Sequence, residues 1–355
     1  MIMGHCGPAL LLESGAGDLA WPPSPHPLAG LPTVMLSERL RKLTPGAATR
    51  EAYGAALIEL GSQDPRIVVL DADLSKSTMT GKFGEKYPDR WFNVGVCEQN
   101  LIGIAAGLAS CGRIPFASSF AVFAPGRCFD QLRVVVAQPK ANVKLAASHA
   151  GLTTGADGKS AQALEDVALM RALHGVVVIV PADETSARWA THAAAAYAGP
   201  VYIRLGRAKA MKVYDESDRF ELGRAIEVVE GEDLTIIANG VMVAAAIEAA
   251  EALASENVHA RVLDMHTVSP IDRDAIVRAA AETRALVVAE EHFLAGGTGE
   301  AVARAVAETL PVPIEFVAAR DYGISGEPDE LLAHYHLTAP DIVGAARQVL
   351  RRKAK

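Results

Sequence analysis

The chain has 355 residues, half of them hydrophobic and 21% charged, a composition that belongs to folded globular chains and excludes a disordered one. Its formal net charge of −8 leaves no basic footprint, so nucleic acid is not an expected partner. No apolar run reaches the roughly 18 residues that cross a bilayer, so no membrane is expected either.

Residues 1–35 are rich in proline and glycine with little periodicity, and are expected to form a disordered extension, the other reading being a start-site artefact, since Met35 begins a clean helical pattern. The apolar patch Pro8 to Leu12 has no basic region before it, which argues against a signal peptide. From Thr49 to Leu60 the apolar residues recur on one helical face. Strand-like runs follow at Ile67–Leu70, Phe92–Val96, Pro115–Phe120, Val143–Ser148, Val176–Val180 and Val201–Leu205. A helix of small residues spans Asn100 to Ser110. Apolar runs separated by helices are the signature of a buried, mainly parallel sheet. A charged, turn-rich stretch, Asp215 to Arg219, interrupts the alternation. It then restarts with strands at Leu234–Ala238, Ala260–Asp264, Leu286–Ala289 and Ile314–Val317, and helices at Ala244–Ala254 and Glu300–Thr309. The fold expected is α/β, in two domains with mainly parallel sheets, over residues 36–212 and 222–352.

Cys6, Cys97, Cys111 and Cys128 show no metal-binding spacing, and most lie in apolar segments. They suit free thiols in a reducing, cytoplasmic setting.

Ligand sites of α/β sheets lie beyond the carboxyl ends of the strands. Polar clusters stand there at Asp71–Ser77, Cys97–Asn100, His149–Ser160 and Arg204–Arg207. Glu98 follows a strand and opens a helix containing Gly103, Ala105, Ala106, Gly107 and Ala109. The bland reading is a carboxylate that complements the helix dipole. Small residues permit close packing, however, and a buried carboxyl favours its neutral form, which suits a proton donor. Three of the nine phenylalanines fall between Phe116 and Phe123. Aromatic residues in a strand usually fill the core, but these also suit a flat heteroaromatic ring. The glycine-rich run His149–Ser160 is long for a loop in a compact domain, and such loops are usually functional. It is not a phosphate-binding P-loop, because Thr153 stands where the first glycine belongs. Arg50, Ser77, His149 and Arg204 each have a bland reading as a surface charge or cap.

Taken together these residues resemble the C-terminal half of transketolase. The motifs appear in order over about residues 36–350: Ala48-Thr49-Arg50, Asp71-Ala72-Asp73-Leu74, Gly95-Val96-Cys97-Glu98-Gln99-Asn100, Ser119-Phe120, Ser148-His149, Asp157-Gly158 and Tyr202-Ile203-Arg204. The resemblance is strongest to the stand-alone C-terminal sections of split transketolases. It implies a pyrimidine-binding domain followed by a transketolase C-terminal domain, with thiamine diphosphate as cofactor. Glu98 then hydrogen-bonds the aminopyrimidine and favours its imino tautomer, and is catalytic together with His149. Phe120 stacks on the pyrimidine with Phe123 nearby, and Asp73 lies close to the cofactor. His149 and Asp157 face the sugar, while Arg50, Ser77, His149 and Arg204 hold its phosphate. Arginine suits that task because its guanidinium pairs bidentately with phosphate oxygens.

Two features depart from full-length transketolases. No Gly-Asp-Gly motif is present to hold the diphosphate and its metal. The resemblance therefore implies an N-terminal partner subunit that carries Mg2+ or Ca2+, an α2β2 assembly and sugar-phosphate substrates, with no metal ligand assigned to this chain. In addition, Ala161 stands where many transketolases place a histidine that contacts substrate hydroxyls. The competing readings are the beta subunit of a 2-oxoacid dehydrogenase decarboxylase, a non-catalytic regulatory paralogue, and a nicotinamide oxidoreductase. The first has no phosphate for the arginines to hold, and the intact Glu98 argues against the second. The third lacks a GxGxxG after any strand, since Gly296-Gly297-Thr298-Gly299 has the wrong spacing.

Overall fold

The structure, a computed structural model, describes residues 43–353. The extension expected over residues 1–35 lies outside the described residues. In the first half of the chain the strands are β1 (Thr44–Ala48), β2 (Ile67–Asp71), β3 (Trp91–Asn93), β4 (Ile114–Phe120), β5 (Lys144–Ser148), β6 (Val177–Ile179), β7 (Val201–Arg204) and β8 (Lys209–Lys212). In the second half they are β9 (Ile226–Val229), β10 (Leu234–Ala238), β11 (Ala260–Asp264), β12 (Thr267–Ser269), β13 (Leu286–Phe293) and β14 (Ile314–Ala319).

The larger sheet has seven strands in the order β12-β6-β7-β5-β4-β2-β3. All neighbours within β6-β7-β5-β4-β2-β3 are parallel. Every residue of β2, β4, β5 and β7 is buried, which accounts for apolar runs without alternation. The helix Thr49–Gln63 buries Tyr53, Ala56, Leu57 and Leu60, the face that periodicity marks. The second sheet has five strands in the order β14-β13-β10-β11-β9, parallel except for the β9 edge. Its two faces are closed by helices including Met242–Ala254 and Ala339–Lys353 on one side and Arg273–Thr283 and Thr298–Ala307 on the other. The fold is α/β with mainly parallel sheets.

Three details differ from the sequence expectation. The run Phe92–Val96 is a strand only as far as Asn93, because Asn93 Oδ1 accepts from the Gly95 amide and Gly95 turns at φ +74°. That turn delivers Cys97 and Glu98 to the start of the next helix. A small antiparallel pair, β1 with β8, lies outside both large sheets. Strand β12 belongs to the second half of the chain but pairs antiparallel with β6 at the edge of the first sheet. It is too short to show a pattern in the sequence.

Candidate active site

The carboxyl ends of β3, β2, β4, β5 and β7 lie side by side, and the polar clusters leave from them. Glu98 opens the helix Glu98–Ser110 and is 1% exposed. Its Oε2 accepts from Arg127 Nη1 at 2.8 Å, so a partly exposed guanidinium supplies a counter-charge to the buried carboxylate. Arg127 lies 4.7 Å from the centroid of the Phe123 ring, which stacks on Phe120 at 5.7 Å and 12°. Phe120 in turn stacks on His149 at 3.7 Å and 18°. An unbroken series of contacts thus runs from Glu98 through both phenylalanines to His149. Phe116 is the exception among the three, since it lies deeper in the strand and packs in the core against Tyr53.

His149 is buried and holds a left-handed backbone, φ +59°, which is uncommon outside glycine and concentrates at functional sites. Its Nδ1 bonds to Ser148 Oγ at 3.0 Å. Burial, and then the charges of Arg50 and Arg207, push its pKa down to about 3, so the imidazole is neutral at physiological pH. Arg50 opens the helix beside it, and Arg50 Nη1 donates to the Ser77 carbonyl at 2.9 Å. Thr49 Oγ1 accepts from the Gly206 amide at 2.7 Å, which draws the segment after β7 against this helix start. Arg207 sits on that segment and donates to the Thr154 carbonyl at 2.8 Å. Burial and the neighbouring Arg207 both lower the Arg50 pKa, and its Nε is buried with no hydrogen-bond partner among the described residues. Two guanidinium groups that repel each other beside a neutral imidazole are suited to an anion.

The arginine beside Arg50 and His149 is Arg207, while Arg204, expected from the sequence to hold the phosphate, is engaged elsewhere. Arg204 is 7% exposed, and its Nε donates to both Asp166 carboxylate oxygens at 3.2 and 2.9 Å. Its Nη2 donates to the Ala163 and Glu291 carbonyls. Tyr202 completes this buried cluster by donating to Asp166 at 2.7 Å. The reason is register: Arg204 is the last residue inside β7, whereas Arg207 lies past its carboxyl end.

Asp73 is exposed, has φ +65°, and accepts from Asn93 Nδ2 at 2.8 Å at the ends of β2 and β3. Its neighbour Asp71 shapes the loop from within. The Asp71 carboxylate accepts from the Leu74 amide and from the Thr78 and Thr80 hydroxyls. Asp157 is exposed and close enough to Arg50 to raise its pKa electrostatically. Ala161 is buried, while Lys159 is exposed. Arg127, Arg207 and Glu291 are members of the site and its surroundings that the sequence reading did not single out. Only Arg207 left a signal, as the basic residue of the Arg204–Arg207 segment that lies beyond the strand.

The donor set fits one half of a bound thiamine diphosphate. A buried carboxylate beside stacked aromatic rings suits an aminopyrimidine. Among the described residues no group of three or more His, Cys, Asp or Glu side chains is arranged to hold a metal ion. No helix among them is long and apolar enough to cross a membrane.

The chain matches the families described as transketolase, pyrimidine binding domain, over residues 46–212, and transketolase, C-terminal domain, over residues 223–342. It is 43% identical over 308 residues to a transketolase C-terminal section from Methanocaldococcus jannaschii, covering 86% of this chain and 96% of that protein. It is 44% identical over 305 residues to a 6-deoxy-6-sulfo-D-fructose transketolase subunit from Clostridium sp., covering 86% of this chain and 95% of that protein. A solved structure described as a split gene transketolase, inactive beta4 tetramer, superposes with a TM-score of 0.82 at 51% identity, covering 87% of this chain and all of that one. Against human transketolase the chain is 37% identical and spans 49% of the length. The chain belongs to the transketolase family, of which it contains the pyrimidine-binding domain followed by the C-terminal domain.

Proposed function

We propose that this chain is the C-terminal subunit of a split, thiamine-diphosphate-dependent transketolase that moves a two-carbon ketol unit from a ketose phosphate to an aldose carrying an anionic group. The observation that carries this reading is the convergence of two sets of residues. Glu98, Phe123 and Phe120 form a series linked through Arg127 that ends on His149, and Arg50 and Arg207 place their charges beside that imidazole. Glu98 holds the aminopyrimidine through a ring nitrogen, and Phe120 and Phe123 exclude water and fix the ring plane. When bound, the cofactor supplies the nucleophilic carbon that accepts the ketol unit. Neutral His149 can donate or accept a hydrogen bond at the sugar without carrying charge of its own. Asp73 and Asp157 complete the polar rim, with Ser77 beside Arg50.

The diphosphate and a Mg2+ or Ca2+ ion are assigned to an N-terminal partner subunit, in a cytoplasmic α2β2 enzyme. An inactive assembly made only of beta chains, the relative described above, supports this dependence on a partner. The same two arginines suit a sulfonate as well as a phosphate, since both present tetrahedral oxyanions. A relative named for 6-deoxy-6-sulfo-D-fructose keeps that second substrate in view.

The test is complementation. The purified chain alone is expected to show no ketol transfer, and addition of a partner carrying the Gly-Asp-Gly motif is expected to restore it. Robust turnover without any partner refutes the split-subunit reading.

A further inference from the structure

One buried carboxylate next to the cleft has no part in the chemistry above. Glu291 lies on β13, in the second half of the chain, and is 4% exposed. Burial pushes its pKa up, while the Arg204 guanidinium and the Thr153 amide act in the opposite direction. Its Oε1 accepts from the Thr153 backbone N–H at 2.6 Å. Its carboxyl group lies directly against Gly151, which has φ +81° and where any Cβ would overlap it. Glycine is required there twice, for the backbone angle and for the approach.

Thr153 and Gly151 belong to the turn that joins the two halves of the anion site. Thr154, the next residue, gives its carbonyl to Arg207 at 2.8 Å. His149 stands two residues before Gly151. The far end of the loop is anchored separately: Ser325 Oγ donates to the Ala156 carbonyl at 2.6 Å, and Gln162 Nε2 donates to the Ile324 carbonyl at 2.9 Å. Glu291 therefore holds the near end of the loop, between the imidazole and the guanidinium.

We propose that Glu291 is a positioning residue by which the C-terminal domain aims the anion site of the pyrimidine-binding domain, holding the Gly151–Thr154 turn that seats Arg207 and His149. The inference rests on the reading of that site as an anion site. A buried carboxylate is costly to desolvate, and an apolar residue at this position would avoid the cost. An apolar residue would, however, leave the Thr153 amide buried without an acceptor. The geometry it fixes is one to which binding is sensitive, since displacement of a contact by about 1 Å is enough to cost up to about a hundredfold.

The experiment uses the full chain carrying Glu291→Ala or Glu291→Gln, with Arg207→Ala as reference. Inorganic phosphate is titrated into each by calorimetry. KM and kcat are then measured with the partner subunit on a phosphorylated acceptor and its phosphate-free counterpart. Glu291→Ala is expected to weaken inorganic phosphate about tenfold and raise KM for the phosphorylated acceptor to match, with a clearly smaller loss on the phosphate-free acceptor, which meets His149 but not the arginines. Glu291→Gln keeps an oxygen facing Thr153 and is expected to retain most of the affinity. Unchanged phosphate affinity in Glu291→Ala, or equal losses on both acceptors, overturns the proposal. If the alanine variant does not fold, Glu291→Gln is compared with Glu291→Asp, which withdraws the acceptor. Affinity kept by Gln and lost by Asp supports the proposal, and equal affinity overturns it. An Arg207→Ala chain that binds phosphate as wild type does refutes the anion site itself, a result separable from failure at Glu291.

Discussion

Arg207 and Arg204 are three residues apart, and the structure gives them opposite fates under the same substitution. Arg207 is half-buried, and among the described residues it donates to one carbonyl oxygen, that of Thr154, while its charge acts on His149 and Arg50. Loss of one charge-assisted hydrogen bond to a substrate oxyanion costs about 1.5–3 kcal/mol, or roughly ten- to a hundredfold in KM. Arg207→Ala is therefore expected to raise KM for a phosphorylated acceptor by that factor and to leave thermal stability nearly unaltered. Arg204→Ala removes one partner of a buried ion pair and leaves Asp166, among the described residues, with the Tyr202 hydroxyl as its side-chain donor. Breaking such a pair costs about 3–5 kcal/mol, a large share of the roughly 5–15 kcal/mol that stabilises a domain. The expected result is a lower Tm and poor soluble yield, with any surviving protein binding phosphate normally. Differential scanning fluorimetry on both variants, paired with KM on phosphorylated and phosphate-free acceptors, separates the two. A stable Arg204→Ala chain with a selective loss on the phosphorylated acceptor would refute the assignment and return the clamp to Arg204.

Glu98→Gln in the assembled enzyme is expected to reduce kcat at least a hundredfold, the lower end for a lost proton-transfer group, with the circular dichroism spectrum intact; retention of most of kcat removes Glu98 from the chemistry. His149 is expected to stay neutral in the free chain down to about pH 4, so its NMR resonances should not titrate between pH 5 and 7. Because its folded pKa is depressed, the stability it supports is present above its unfolded pKa and is lost as pH falls toward the folded value. Asp264 is fully buried, accepts from the Tyr214 hydroxyl at 2.7 Å, and is pushed up to about 8 by burial. Between its unfolded pKa of about 3.9 and 8 the folded state binds the extra proton, so this residue lowers stability as pH rises through that window. Asp264→Asn keeps the acceptor and is expected to raise Tm over wild type at pH 9 more than at pH 5; an equal difference at both refutes the buried-acid account.

The central strands of both sheets were legible because they are buried on two faces and read as apolar runs. Glu98 is buried as expected, but not for the reason the sequence offered: Gly103 and Gly107 of its helix are exposed, with nothing packed within 4 Å of either among the described residues. What could not be read was register. Whether an arginine faces the core or the cleft turns on where β7 ends, and Arg204 and Arg207 look alike in the sequence. Arg127 was missed because its partner lies 29 positions away and no periodicity links them. Glu291 was missed for a related reason: on a strand it reads as a charge in an apolar run, and its partner Thr153 is 138 positions earlier. Short edge strands such as β9 and β12 carry too few residues to show any pattern.

Strand β12 has a consequence for how this molecule can be divided. It is contributed by the second half of the chain, yet it covers the open backbone edge of β6. A fragment ending at the turn-rich stretch after residue 212 would present that edge uncovered, and uncovered edges recruit strands from other molecules. Such a fragment is expected to aggregate or to capture β12 from a neighbour in a swapped dimer. The two halves are thus separate as sheets but not as modules, and a recombination event at the apparent boundary would transfer an unfinished sheet.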